Sequence, residues 1–156
     1  MSMQNAVKEI MSTRLETIDV TKNAQEAAKK MNDKRISSVL VVDGDKNSEG
    51  PIGIVTERDL VIRVCAPGIS SKEVGIREIM SSPIATVEPH ATVETAAELM
   101  LSNKVRHLLV VDEQTRKPVG IIAPSDLNKY LRGNIDMDEV NARILEAIKA
   151  EELTEP

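Results

Sequence analysis

Gly53-Ile54-Val55-Thr56-Glu57-Arg58-Asp59-Leu60 is written again, with changes, as Gly120-Ile121-Ile122-Ala123-Pro124-Ser125-Asp126-Leu127. Outward from this pair the correspondence continues. Val41-Val42-Asp43 returns as Val110-Val111-Asp112, and Val7-Lys8-Glu9-Ile10-Met11-Ser12 returns as Ile76-Arg77-Glu78-Ile79-Met80-Ser81. Residues 7–65 thus recur at 76–132. A repeat of this length is one supersecondary unit that buries its apolar face against its twin. It also builds two equivalent clefts, so each place where the copies differ bears on function.

Each copy follows one plan. A short Glu-Ile-Met-Ser leader runs into an extended stretch at Thr17-Ile18 or Thr86-Val87. A helix follows, capped by Asn23 or Thr92, and Asn23 with Glu26 has capping-box spacing. Ala24, Ala27, Ala28 and Met31 recur as Val93, Ala96, Ala97 and Met100, the apolar stripe of one buried helix face. The runs 38–42 and 107–111 are apolar without alternation, as in strands buried on both faces. Pro51–Val55 and Pro118–Ile122 are the expected partner strands, each with Pro at its edge. Second helices are expected from Thr56 to about Val64 and from Pro124 to about Leu131, stopped by Ala66-Pro67-Gly68 and by Gly133. The chain divides into repeat 1 (5–68), a linker (69–75), repeat 2 (76–133) and an acidic tail (134–156). The tail predicts an amphipathic helix capped by Asp136 with Glu139, with apolar residues at 140, 144, 145 and 148. A lone helix of this length is marginal in water, so it is expected to dock on the body or on a second chain.

Composition narrows the function. The 156 residues suit one domain or two small ones sharing a core, and 41% are apolar. Trp and Phe are absent and Tyr130 is the only aromatic, so no aromatic shelf exists for stacking nucleobases. The net charge of −5 also argues against a nucleic-acid partner, although a local basic cluster can hold one small anion. A lone Cys65 excludes a disulfide framework and a Cys-based metal site. Neither an apolar signal region nor a membrane-spanning run is present, so the chain reads as soluble and cytoplasmic, with no membrane partner. No Ser/His/Asp arrangement, metal-ligand cluster or phosphate-binding Gly-rich loop suggests catalysis or a catalytic cofactor.

The full order of motifs, twice and at matching spacing, resembles the CBS domain, named for cystathionine β-synthase. Two copies in tandem are similar to a CBS pair, or Bateman module, over about residues 5–133. The resemblance implies an α/β (α+β) fold of two β-α-β-β-α repeats packed with pseudo-two-fold symmetry, plus the C-terminal helix. It also implies dimerisation, binding of an adenine nucleotide (AMP, ADP or ATP) or another adenosyl ligand such as S-adenosylmethionine between the repeats, and a non-catalytic regulatory role. A ligand-independent interaction module that regulates a partner protein is the competing function.

The two clefts differ. Thr56-Glu57-Arg58-Asp59 sits where a strand meets a helix, and a carboxylate there can accept both vicinal hydroxyls of a ribose. In the family this Asp holds the ribose and this Thr lies beside it. The structural alternative has Thr56 as N-cap and Asp59 as first-turn charge. In the second copy, Ala123-Pro124-Ser125-Asp126 keeps the Asp, loses the Thr hydroxyl and an N–H, and offers Ser125 instead. Where copy one has Ser37-Ser38, copy two has Arg106-His107. In relatives, basic residues here reach phosphates whose ribose is held by the other repeat. The resemblance therefore assigns Arg106, His107 and Ser37 to the Asp59 cleft. Arg offers a bidentate fork and His a pH-dependent donor. Adenine is expected against Thr17-Ile18-Asp19, and Lys129 is a lesser phosphate candidate. The expectation is one strong site per chain, at Asp59, with the Asp126 cleft weaker or tuned to another ligand.

Overall fold

Apolar, β-branched runs form the central strand of each of two three-stranded sheets in the computed structural model, which describes residues 5–46, 50–134 and 137–152. In repeat 1, β1 (Thr17–Asp19) pairs parallel with β2 (Ser38–Val42), and β2 pairs antiparallel with β3 (Gly53–Thr56). In repeat 2, β4 (Thr86–Val87), β5 (Leu108–Val111) and β6 (Pro118–Ile122) repeat the order. Central strands covered on both faces need no polar alternation. Thus Val39, Val41 and Val55 face one side with α2 (Ala24–Lys34), while Leu40 and Ile54 face the other. Leu108 and Val110 likewise pack beneath α5 (Val93–Ser102), and Leu109 turns back to meet Leu40 and Ile54 between the sheets. Two helix–sheet cores and one sheet–sheet core result.

The expected caps are in place. Asn23 accepts from the Glu26 amide at 3.0 Å while Glu26 accepts from the Asn23 amide at 3.0 Å. Thr92 caps α5 through the Thr95 amide at 3.1 Å. Ala24, Ala27 and Met31 are buried, as are Val93, Ala96 and Met100.

The leaders are exchanged. The first, α1 (Val7–Ile10), lies on repeat 2: Val7 N–H donates to Ala91 O at 2.8 Å, and Ser12 and Ile121 exchange two 2.9 Å backbone bonds. The second, α4 (Ile76–Ile79), lies on repeat 1, with Ile76 and Ile79 inside its core and Ser81 bridged to Ile54. Gly120 and Gly53 permit this crossing. A Cβ on Gly120 would meet the Met11 thioether and stand 3.0 Å from Ser12 O, and one on Gly53 would stand 2.7 Å from Met80 Sδ.

Three local expectations are corrected. The strand after the 44–50 connection begins at Gly53, because the ladder with β2 reaches only Val41 opposite it, although Ile52 N–H still bonds Val41 O at 2.8 Å. The first of the second helices is two pieces, α3 (Glu57–Leu60) and a π-helical turn (Val61–Cys65), whose wider winding is closed by Ala66 N–H to Val61 O at 2.8 Å. In repeat 2, α6 (Pro124–Asn134) runs through Gly133, since one glycine costs a helix only about 1 kcal/mol. The tail forms α7 (Met137–Glu152). Its proposed cap, Asp136, lies outside the described residues.

Candidate functional site

The two copies place their aspartates alike and then use them differently. Asp59 caps α3: its Oδ2 accepts from Thr56 N–H at 2.9 Å and Thr56 Oγ1 at 3.1 Å, and Thr56 Oγ1 accepts from the Asp59 amide at 3.2 Å. Its other oxygen accepts from Ser81 Oγ at 3.0 Å, with Arg63 Nε 4.0 Å away. Arg63 also donates to the carbonyls of Ile79 and Met80, both at 2.9 Å. Asp59 is 8% exposed, so this carboxylate is a buried latch that holds the second leader onto repeat 1. Thr56 thus takes the capping role that was the alternative to a ligand role.

The Asp126 carboxylate accepts one hydrogen bond where that of Asp59 accepts three. Its Oδ2 accepts from Ala123 N–H at 2.8 Å, matching the Thr56 contact, and among the described residues no hydrogen bond is made to Oδ1. The twin of Arg63 is Tyr130, which donates to Asn5 Oδ1 at 3.2 Å and leaves Asp126 alone. Partial burial pushes the Asp126 carboxyl above the usual carboxylate range, against the Ala123 N–H and the Lys129 charge. A desolvated carboxylate with an open oxygen is a strong acceptor for hydroxyl donors.

Asp126 lines a cleft of about 760 Å³ between the repeats. Its walls come from both: Arg14, Arg35, Ser37 and Glu57 from repeat 1, and His107, Ser125, Asp126 and Lys129 from repeat 2. Such a volume suits a small molecule. The lining therefore carries three cations, Arg14, Arg35 and Lys129, and two carboxylates, Glu57 and Asp126, the latter able to grip a polyol. Arg35 reaches the cleft because it ends α2 in the left-handed conformation (φ 54°, ψ 49°). Arg14 is held by a 2.9 Å bond to Lys34 O. His107 Nε2 lies 2.9 Å from Ser37 Oγ, a direct link between repeats, and burial pushes its imidazole below the ordinary histidine value while Asp59 pulls the other way.

Of the residues singled out from sequence, Ser37, His107, Ser125 and Asp126 line this cleft, and Lys129 joins them. Thr17, Ile18 and Asp19 do not. Ile18 is core, the Thr17 carbonyl is bonded by the Lys30 ammonium, and Asp19 clamps a turn, accepting from Thr21 Oγ1 at 2.7 Å and Gly44 N–H at 3.1 Å. The Thr21 hydroxyl and amide and the Gly44 amide hold the Asp19 carboxyl below the usual range. Arg58 and Arg106 are exposed and not on the cleft walls, Arg106 adding only its charge beside His107. Arg14 and Arg35 were not among the expected residues. Arg14 aligns with Pro83 and Arg35 with Lys104, so only the first shows up as a difference between copies. A second cavity of about 680 Å³, under α5, is lined by Glu88, Asp112, Glu113 and Arg116 and contains none of the expected residues. No group of three or more His, Cys, Asp or Glu that could hold a metal occurs among the described residues, and no described helix is long and apolar enough to cross a membrane.

Comparison with known proteins agrees with this architecture. The CBS domain family matches residues 7–65 and 76–133. Uncharacterised protein MK0525 of Methanopyrus kandleri is 39% identical over 122 residues, 78% of this chain but only 60% of its own length. CBS domain-containing protein YhcV of Bacillus subtilis is 31% identical over 124 residues, 79% of this chain and 83% of that protein. Among solved structures, a CBS-domain protein from Burkholderia ambifaria provisionally assigned to signal transduction superimposes with a TM-score of 0.75 at 32% identity, covering 85% of this chain and 97% of its own. The CBS domain pair of MJ0100, solved with 5′-methylthioadenosine and S-adenosyl-L-methionine, gives 0.69 at 26% identity over 81% and 99%. A hexameric CBS-CP12 protein from bloom-forming cyanobacteria gives 0.73 at 29% identity over 95% and 88%. With its two matched segments, its two β-α-β-β-α units with exchanged leaders and these relatives, the chain belongs to the CBS domain family and is a tandem CBS pair.

Proposed function

We propose that this protein is a non-catalytic regulatory module that binds an adenine nucleotide in the Asp126 cleft. The observation that carries the reading is that Asp126, whose Oδ1 accepts no hydrogen bond among the described residues, lines one cleft with Arg14, Arg35 and Lys129. The carboxylate would accept the vicinal ribose hydroxyls, and the three cations would take the phosphates, Arg through its bidentate fork. The two ligands of MJ0100 each carry an adenosyl group, whose ribose hydroxyls could make the same contact here. The cations favour a phosphate-bearing ligand over S-adenosylmethionine, whose sulfonium is positive. Relative to the expectation from sequence, the stronger site moves from Asp59 to Asp126.

The regulatory step follows from which parts line the cleft. Ser12, at the end of the first leader, and Arg14 stand on one wall, and α6 stands on another. A ligand bridging them couples the exchanged leader to repeat 2. It can shift the arrangement only through different affinity for two arrangements. We further propose that the chain self-associates, as the hexameric CBS-CP12 neighbour does.

Differential scanning fluorimetry with AMP, ADP, ATP and S-adenosylmethionine tests the ligand. A nucleotide at about 100 times its Kd stabilises by roughly 2.7 kcal/mol, an upward shift of several degrees. The shift should vanish in Arg14→Ala/Lys129→Ala. Equal melting curves with and without every nucleotide would favour the ligand-independent interaction module.

A further inference from the structure

We propose that the cavity under α5 binds a small aliphatic amine, with the ammonium on Glu88, Glu113 and the Thr86 carbonyl and the carbon chain against Leu99 and Val111. This site is separate from the Asp126 cleft and does not depend on it. At about 680 Å³ the cavity has the size of a small-molecule site. Its charged lining sets Glu88, Asp112 and Glu113 against Arg116 alone, which favours a cation.

The first repeat meets the same needs with its own side chains. There the Lys30 ammonium bonds the Thr17 carbonyl and stands 3.6 Å from the Glu16 carboxylate. Beyond it, Asp19 accepts from Thr21 Oγ1 at 2.7 Å and from Gly44 N–H at 3.1 Å. In the second repeat Leu99 replaces Lys30, Glu88 replaces Asp19 and Glu113 replaces Gly44. Leu109 N–H donates to Ala85 O at 2.9 Å, as Leu40 N–H does to Glu16 O. The Thr86 carbonyl therefore lies, like that of Thr17, on the open edge of its sheet, and Leu99 has no donor to give it. A Cβ on Gly44 would stand 2.9 Å from Asp19 Oδ2, so a side chain at Glu113 rules out the clamp of the first repeat. Glu88 meets Glu113 instead. Their hydrogen bond, with desolvation and the Glu113 charge, holds the Glu88 carboxyl above the usual range against the pull of His90. The Thr115 and Gln114 amides, at 2.9 and 3.0 Å, hold the Asp112 carboxyl below it, so Asp112 adds a standing negative charge. Two crowded carboxyls thus share a cavity with a carbonyl whose twin binds an ammonium. Charge-assisted bonds from an amine satisfy all three.

Titration calorimetry of the full chain with 1,4-diaminobutane tests the site, with magnesium chloride as a second probe. The diamine should bind once per chain with a Kd below about 1 mM. Leu99→Lys supplies the ammonium of the first repeat from within and should weaken binding at least about tenfold, as should Glu88→Gln/Glu113→Gln. Leu101→Lys adds the same charge to the same helix at an 80% exposed position outside the cavity, and should leave the Kd within about twofold. No diamine binding by the wild-type chain, unchanged binding in Leu99→Lys or in the double Gln variant, or equal loss in both Lys variants overturns the site. Magnesium binding as tightly as the diamine overturns the preference for an amine. AMP affinity should be the same in Glu88→Gln/Glu113→Gln as in wild type, and a parallel loss of both ligands would overturn the separateness of the two sites.

Discussion

Removing the two aspartates one at a time should separate a structural carboxylate from a binding one. Asp59→Ala deletes the acceptor of Thr56 N–H, Thr56 Oγ1 and Ser81 Oγ, with distances of 2.9, 3.1 and 3.0 Å, and leaves Arg63 without its anion. Loss of a cap costs about 1 kcal/mol, and a part-buried hydrogen bond to a charged group about 1.5–3 kcal/mol. Because the bonds share one carboxylate and are not additive, the total is about 3–4 kcal/mol, a fall in Tm of roughly 10 °C for a chain of this size. Asp126→Ala deletes one bond, to Ala123 N–H at 2.8 Å, and relieves a desolvated carboxylate. Its cost is about 1 kcal/mol. With no Trp and one Tyr, circular dichroism at 222 nm under urea is the natural assay. In a double-mutant cycle, Ser81→Ala should couple to Asp59→Ala by about 1 kcal/mol and to Asp126→Ala not at all. Equal costs for the two aspartates, or no Ser81 coupling to Asp59, would refute the latch.

Asp126→Asn keeps an acceptor for Ala123 N–H and removes the burdened charge, so the free protein should melt no lower than wild type while calorimetry shows nucleotide affinity reduced at least about tenfold. Gly120→Ala should destabilise by about 1–3 kcal/mol in urea, since the new methyl meets Met11 and the Ser12 carbonyl at the leader crossing. Ile79→Ala, at 1% exposure, should cost about 2–5 kcal/mol and lower the single melting transition of the whole chain, because the second leader fills the core of the first repeat. His107, with its folded pKa depressed chiefly by burial, takes up its proton less readily folded than unfolded. Stability should therefore be flat above about pH 6.5, fall as pH drops below it, and level off once the folded pKa is passed. The slope between pH 7 and 5.5 should shrink in His107→Gln, and an unchanged slope would remove His107 from the account.

The repeat made the architecture readable. The uninterrupted runs at 38–42 and 107–111 could only be central strands, and the stripes in α2 and α5 named the faces that lie on them. Which leader serves which repeat was not readable, because Ile10-Met11-Ser12 and Ile79-Met80-Ser81 are chemically alike and fit either copy. Under the proposed Asp126 site, that ambiguity is why the Asp59 cleft ranked first from sequence. Only the exchanged leader brings Ser81 to Asp59, and without that contact the carboxylate looks free. The difference between Arg63 and Tyr130 was visible in the aligned copies and was the usable signal. Arg35 was hidden for another reason: it ends α2 in the left-handed conformation, as its counterpart Lys104 (φ 55°) also does, yet only Arg35 lines the cleft.

In the proposed arrangement adenine nucleotide occupies the Asp126 cleft while Asp59 stays engaged with Thr56 and Ser81. A crystal structure of the full chain grown with AMP tests it most directly. One nucleotide per chain is expected, with ribose hydroxyls on Asp126, phosphate among Arg14, Arg35 and Lys129, and the Ser81–Asp59 bond intact. Nucleotide seated against Asp59 with Ser81 displaced, or two nucleotides per chain, would contradict it.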